Sequence, residues 1–222
     1  MNIDFTPRLI SSGDWATLLF ILSLALLTVN KNVFSVRFHD YIRLVYSDKY
    51  LKIYKDPSNL MSWFTISMFF IQLISFSFIV HIALSDLNYS SLNSFIDFLR
   101  IFNFLTFFIL SKYLIEKIIA IFFKIEDFVE QYNLIKVNFR TYLGFLLLPV
   151  SMFLFYSKNQ ELNIIYIVLL IVLITNVIMY SVILKNHQKF ILKHILYFIL
   201  YLCALELAPY LIIYKWFAFS MY

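Results

Sequence analysis

The chain has 222 residues, of which 62% are hydrophobic, 20% aromatic and only 14% charged, and its mean hydropathy is +0.83; soluble domains do not have this composition. A net charge of +5 in a soluble protein would point to nucleic acid, but here the basic residues fall in the gaps between apolar runs, the pattern of membrane orientation, and no nucleic-acid partner is expected. Two glycines and almost no period-2 alternation argue against a β-barrel, and a lone cysteine, Cys203, excludes an internal disulfide and a thiolate metal cluster.

The expected fold class is therefore all-α: an integral membrane helical bundle forming one polytopic domain over residues 1–222, with six transmembrane helices and amphipathic interfacial helices. In chain order the apolar stretches are roughly Trp15–Val29, Leu60–Leu84, Phe95–Ile115, Tyr142–Tyr156, Ile164–Leu184 and Ile195–Tyr214. The first and fourth are shorter than the roughly 20 residues that span about 30 Å of hydrocarbon. Flanking residues must extend them, or the bilayer must thin around them, or they do not cross fully. The leader MNIDFTPRLISSGD lacks a basic region and no small-residue cleavage site follows LSLALLTVN, so the first stretch reads as a retained helix rather than a signal peptide.

After the first stretch come Lys31, Arg37, Arg43, Lys49, Lys52 and Lys55; Lys112, Lys117, Lys124, Lys136 and Arg140 flank the gap after the third; Lys185, Lys189 and Lys193 lie between the fifth and sixth. These are fourteen of the 18 basic residues, so the positive-inside rule sets these gaps in the cytoplasm and both termini in the periplasm. Two of the gaps are amphipathic. In VFSVRFHDYIRLVYSDKY, Phe34, Phe38, Tyr41 and Val45 recur at helical spacing while Arg37, Asp40 and Arg43 are expected on the opposite face. KIEDFVEQYNLIKVNFR is a similar mixture. Such helices either lie on the headgroups or offer a docking surface to a partner protein.

Familiar catalytic signatures are missing: there is no glycine-rich phosphate loop, no G-x-S-x-G, no H-E-x-x-H and no paired Cys-x-x-Cys, and the four histidines are isolated. No catalytic, cofactor-binding or metal-ligating residue is assigned. The polar residues within the spans are the candidates for function. Lys112 and Glu116, at i,i+4, and Asp97 and Arg100, at i,i+3, bracket the third span about 29 Å apart along a continuous helix, which is one hydrocarbon thickness; both pairs are expected to mark membrane boundaries.

The last span, YFILYLCALELAPYLIIYK, carries Glu206 nine residues from Lys215 and thirteen from Lys193, where a charge costs about 2.5–3.5 kcal/mol even on the lenient insertion scale. Pro209 frees the carbonyl of Leu205 and kinks the turn that holds Glu206, and Tyr210, one turn on, shares its face. The expected result is a polar pocket, with Glu206 turned toward the bundle. Pro149 is expected to break the fourth span in the same way, Gly144 to allow close helix approach, and Asn103, Gln72 and Asn176 to join a polar network that binds helices together.

YLCALELAPYLIIYK resembles the C-terminal signature of the DUF4271 family, multi-span membrane proteins of Bacteroidota. The matching residues are Tyr201, Leu202, Cys203, Leu205, Glu206 and Pro209, while Ala204 and Ala208 stand where bulkier residues are expected. FRTYLGFLLLP, with Arg140, Tyr142, Gly144 and Pro149, is similar in a looser way. The resemblance implies the inner membrane of a Gram-negative bacterium and implies no activity. With catalytic motifs missing and two amphipathic segments present, the leading expectation is a non-catalytic inner-membrane subunit or scaffold of an envelope assembly for protein secretion or envelope biogenesis. Its partners would be the lipid bilayer and other inner-membrane proteins. The alternatives are a small proton-coupled transporter using Glu206 and an interfacial lipid-modifying enzyme.

Overall fold

The computed structural model describes residues 14–45, 49–54, 56–87, 89–123, 125–157, 167–168 and 170–175, and every regular element among them is helical. The elements are α1 (Asp14–Val33), α2 (Ser35–Ile42), α3 (Lys49–Ile53), α4 (Trp63–Asp86), α5 (Phe95–Phe123) and α6 (Glu126–Tyr156), with 3-10 turns at Arg43–Val45 and Pro57–Met61. Three stretches among the described residues are long and apolar enough to cross a membrane: Asp14–Val33, Trp63–Asp86 and Val129–Tyr156. The last two expected spans, apart from a few residues of the fifth, lie outside the described residues, as do Cys203, Glu206, Pro209 and Tyr210.

The two short stretches are extended by their flanks. α1 reaches 20 residues, about 30 Å, by adding Asp14 at its start and Asn30–Val33 at its end. The amphipathic segment after the third stretch is not a separate interfacial helix. It is the first half of α6, which runs for 31 residues, about 46 Å, from Glu126 without interruption. Nothing between Arg140 and Tyr142 breaks a helix, so the two halves join. Nor does Pro149 end α6, which continues through it to Tyr156.

α4 is the central element, packed against α1, α5 and most extensively α6. Its N-terminus is capped by Ser62, whose hydroxyl accepts from the Thr65 amide at 3.4 Å, one of the donors left over at a helix start. α4 and α6 cross closely at Gly144: a Cβ there would lie 2.5 Å from the Gln72 Cα, so only glycine fits, as the sequence leads one to expect. On one side of this crossing, Phe20, Phe78 and Phe98 from three helices pack together, Phe20 stacked on Phe78 with ring centroids 4.3 Å apart and Phe98 tilted against Phe78 at 4.6 Å. Trp15 and Phe155 close the same cluster. On the other side a second core forms from Phe38, Tyr41, Leu44, Tyr50, Phe64, Met68 and Tyr142.

Candidate functional site

The described part of the bundle concentrates its ionisable groups at the end where α2 and α3 pack. α2 rests on the bundle by one face. Phe38 meets Phe145 of α6, and Tyr41 lies edge-on to Phe64 of α4 and Tyr142 of α6, at centroid separations of 6.3, 5.4 and 5.5 Å. This apolar face matches the helical spacing of Phe34, Phe38 and Tyr41, but the expected polar face does not hold. Of Arg37, Asp40 and Arg43, only Arg43 is exposed. Asp40 is buried and paired with exposed Lys49 at 3.1 Å.

Arg37 turns inward. Its guanidinium lies between the rings of Tyr54 and Phe64, 4.7 and 4.8 Å from their centroids. It donates to the Tyr50 hydroxyl and Asn59 Oδ1 at 3.3 Å each, to Ser62 Oγ at 2.9 Å and to Thr65 Oγ1 at 3.2 Å. None of these partners is a carboxylate. The planar fork and two π-faces suit arginine and not lysine, and they tie α2 to the loop and first turn of α4.

The tyrosines complete the layer. The Tyr41 hydroxyl donates to Thr141 Oγ1 at 3.0 Å and that of Tyr142 to the Ile42 carbonyl at 3.2 Å. Burial pushes the Tyr41 hydroxyl well above its ordinary pKa, against the hydrogen bond to Thr141; burial also raises Tyr50, partly offset by the Arg37 charge.

Between Thr141 and the start of α6 lies the most unusual contact among the described residues. Lys136 Nζ donates to Glu116 Oε1 of α5 at 2.5 Å, with side chains only 5% and 1% exposed. The lysine ammonium also lies 5.3 Å from the Tyr132 ring, and Lys112 is buried nearby in sequence on α5. A buried pair of this kind offsets two desolvation penalties only with good geometry, and removing either partner strands a charge. Glu116 is therefore committed across the helix interface, beyond any contact with Lys112 on its own helix. The distant signal is present in the sequence: α5 and α6 join through a short turn near residue 125, and opposite charges at 116 and 136 lie at comparable distances from it.

Asp97 and Arg100 pair at 3.2 Å at the other end of α5, as the i,i+3 spacing predicts. Gln72 is buried at the Gly144 crossing with neither amide atom hydrogen-bonded among the described residues; Pro149 is exposed, and Asn103 is exposed on α5 with no hydrogen bond among the described residues. His81 is buried beside Trp15 and Phe98, its Nε2 3.1 Å from the Leu92 carbonyl. Among the described residues no group of three or more His, Cys, Asp or Glu comes together to hold a metal ion.

A family model described as a domain of unknown function, DUF4271, matches residues 16–217. The chain belongs to the DUF4271 family. No curated protein and no solved structure matches it. The match covers the layer around Arg37 and Tyr41 and the last apolar stretch alike, so in this DUF4271 chain the Glu116–Lys136 pair, the Gly144 crossing and the Glu206 segment belong to one family domain.

Proposed function

We propose that this protein is a non-catalytic, multi-span subunit or scaffold of an assembly in the inner membrane of a Bacteroidota bacterium, one serving protein secretion or envelope biogenesis. In this reading the chain crosses the membrane six times with both termini in the periplasm. α5 is one of the six: its 29 residues suffice, and Lys112 and Glu116, which lower its hydropathy, are buried away from lipid. The layer built on Arg37, Tyr41 and Lys136 then lies at the cytoplasmic boundary. The two last spans, with Glu206, complete the bundle.

The observation that carries the reading is where the polar side chains go. Arg37, Tyr41, Glu116 and Lys136 each bond to a group on another helix or on a loop beside one, so they hold helices together. A turnover site would instead converge such groups on a shared opening. Extraction of the tagged full chain in mild detergent, followed by mass spectrometry, tests it: a stoichiometric envelope partner is expected, and recovery of this chain with no other protein would overturn it.

A second reading has one observation in its favour. An ion pair buried in a membrane helix is by default a candidate for proton or ion movement, and Glu116–Lys136 could serve with Glu206 in a proton-coupled transporter. Proteoliposomes loaded with a pH-sensitive dye decide it. Proton flux lost in Glu116→Gln would favour the transporter, whereas no flux in the unaltered protein favours the scaffold.

A further inference from the structure

α4 carries two polar residues in the middle of a buried stripe. Met68, Gln72, Ser75 and Ile79 recur every three or four residues, and Gly144 of α6 fixes what the stripe faces, because a Cβ there would lie 2.5, 2.7 and 2.8 Å from the Gln72 Cα, Cβ and Cγ. Met68 packs in one apolar core with Tyr142 and Leu148, and Ile79 in the other with Leu147. Gln72 and Ser75 lie between the two cores. They are 1% and 0% exposed, and the Gln72 Oε1 and Nε2 and the Ser75 Oγ have no hydrogen-bond partner among the described residues. Other buried hydroxyls in these helices behave differently. Ser23, Ser77, Thr141 and Ser151 each donate to the carbonyl three or four residues earlier, at 2.7–3.0 Å, and Ser75 does not, so its hydroxyl is left for another group.

We propose that Gln72 and Ser75 bind a single internal water molecule at the α4–α6 crossing. The three atoms call for both directions of hydrogen bond: Oε1 needs a donor, Nε2 an acceptor, and the hydroxyl serves as either. Water donates twice and accepts twice, so it is the smallest species that answers all three, and two to four polar partners are what a buried water requires. A carboxylate from another helix would accept from Nε2 and from the hydroxyl and leave Oε1 unmet. The site also gives a reason for glutamine at the closest helix contact described. An apolar side chain of the same length would pack there without desolvating an amide, whereas a hydrated amide and hydroxyl hold the crossing in one register.

The test is nuclear magnetic resonance of the full chain in detergent micelles, with the glutamine side chains labelled with nitrogen-15. The chain has four glutamines, and Gln72→Met, close to glutamine in length and volume, identifies the Gln72 amide by the loss of its signal. A dipolar cross-peak from that amide to water is expected, with hydrogen exchange slower than at exposed Gln131. Ser75→Ala removes one of the three partners and should lower the intensity of that cross-peak while leaving Gln131 as it is. Melting of the same variants is the second readout. Gln72→Met and Ser75→Ala should each lower the melting temperature, and together they should lower it by less than the sum of the two, because both act on one water. An amide buried without a partner predicts the opposite sign, since removing it relieves a cost. A rise in melting temperature in Gln72→Met, or a Gln72 amide with no cross-peak to water, overturns the proposal. So does a displaced Gln72 amide signal in Asn176→Leu or Glu206→Leu, because the amide would then be held by a side chain of the last two apolar stretches.

Discussion

The two sides of the α4–α6 crossing are built by different physics. Beyond Gly144 toward Tyr156, helices meet through packed rings, with Phe20 stacked on Phe78, Phe98 tilted against it and Phe155 edge-on, which gain from shape and dispersion and tolerate small shifts. Toward Glu126, the second apolar core is overlaid by directed polar contacts: Arg37 ties α2 to the start of α4, Tyr41 and Thr141 tie α2 to α6, and the Glu116–Lys136 pair ties α5 to α6, where each bond has one geometry. The aromatic side supplies adhesion that many apolar sequences would supply. The polar side specifies which helix sits beside which, and a one-residue slip there would leave charges buried without partners.

Four perturbations probe the polar side and the crossing. The largest effect is expected from Glu116→Leu, which removes the carboxylate that the buried Lys136 ammonium bonds to and should cost about 3–5 kcal/mol, seen as loss of folded protein in detergent. Combining it with Lys136→Met should recover most of that loss, because two apolar groups need no partner. Next is Gly144→Ala, whose methyl meets the α4 backbone at Gln72; overpacking of about 1–3 kcal/mol should lower the melting temperature and disturb both sides at once. Tyr41→Phe removes only the hydroxyl that Thr141 receives and should cost about 1 kcal/mol.

The smallest effect is one of pH. Tyr41 and Tyr50 hold their protons more tightly when folded, so the folded state binds more protons than the unfolded one above the ordinary tyrosine pKa of 10.0. Stability should be level with respect to these groups up to about pH 10 and fall above it. Melting curves at about pH 8 and about pH 10.5 should differ less in Tyr50→Phe than in the unaltered chain.

How much of this is legible depends on sequence distance. The apolar runs of α1 and α4 and the burial of Phe38 and Tyr41 follow from period and hydropathy, and the Gly144 approach follows from a glycine inside an apolar helix. Asp97 and Arg100 are legible because the partners are three residues apart. In sequence α6 reads as two pieces because its first half is polar, although much of that polarity faces protein: Asn133, Lys136, Asn138 and Thr141 are buried, while Glu126 and Gln131 are exposed. The same reasoning puts Arg37 and Glu116 at a surface, where the structure does not. Their partners lie 13 to 28 residues away for Arg37 and 20 for Glu116, and charge type alone does not say whether a partner is water or protein. The readings that rest on Cys203, Glu206, Pro209 and Tyr210 lie outside the described residues.

The account turns on the claim that the buried charges bind helices and do not carry protons. The direct measurement is to replace the pair with apolar groups, Glu116→Leu together with Lys136→Met, in the full chain expressed from its own locus, and to measure protein level, co-purifying partners and growth side by side. Near-normal level, unchanged partners and unchanged growth are predicted. A variant that reaches normal level and keeps its partners but fails to support growth would contradict the account, because the charges would then be working in turnover.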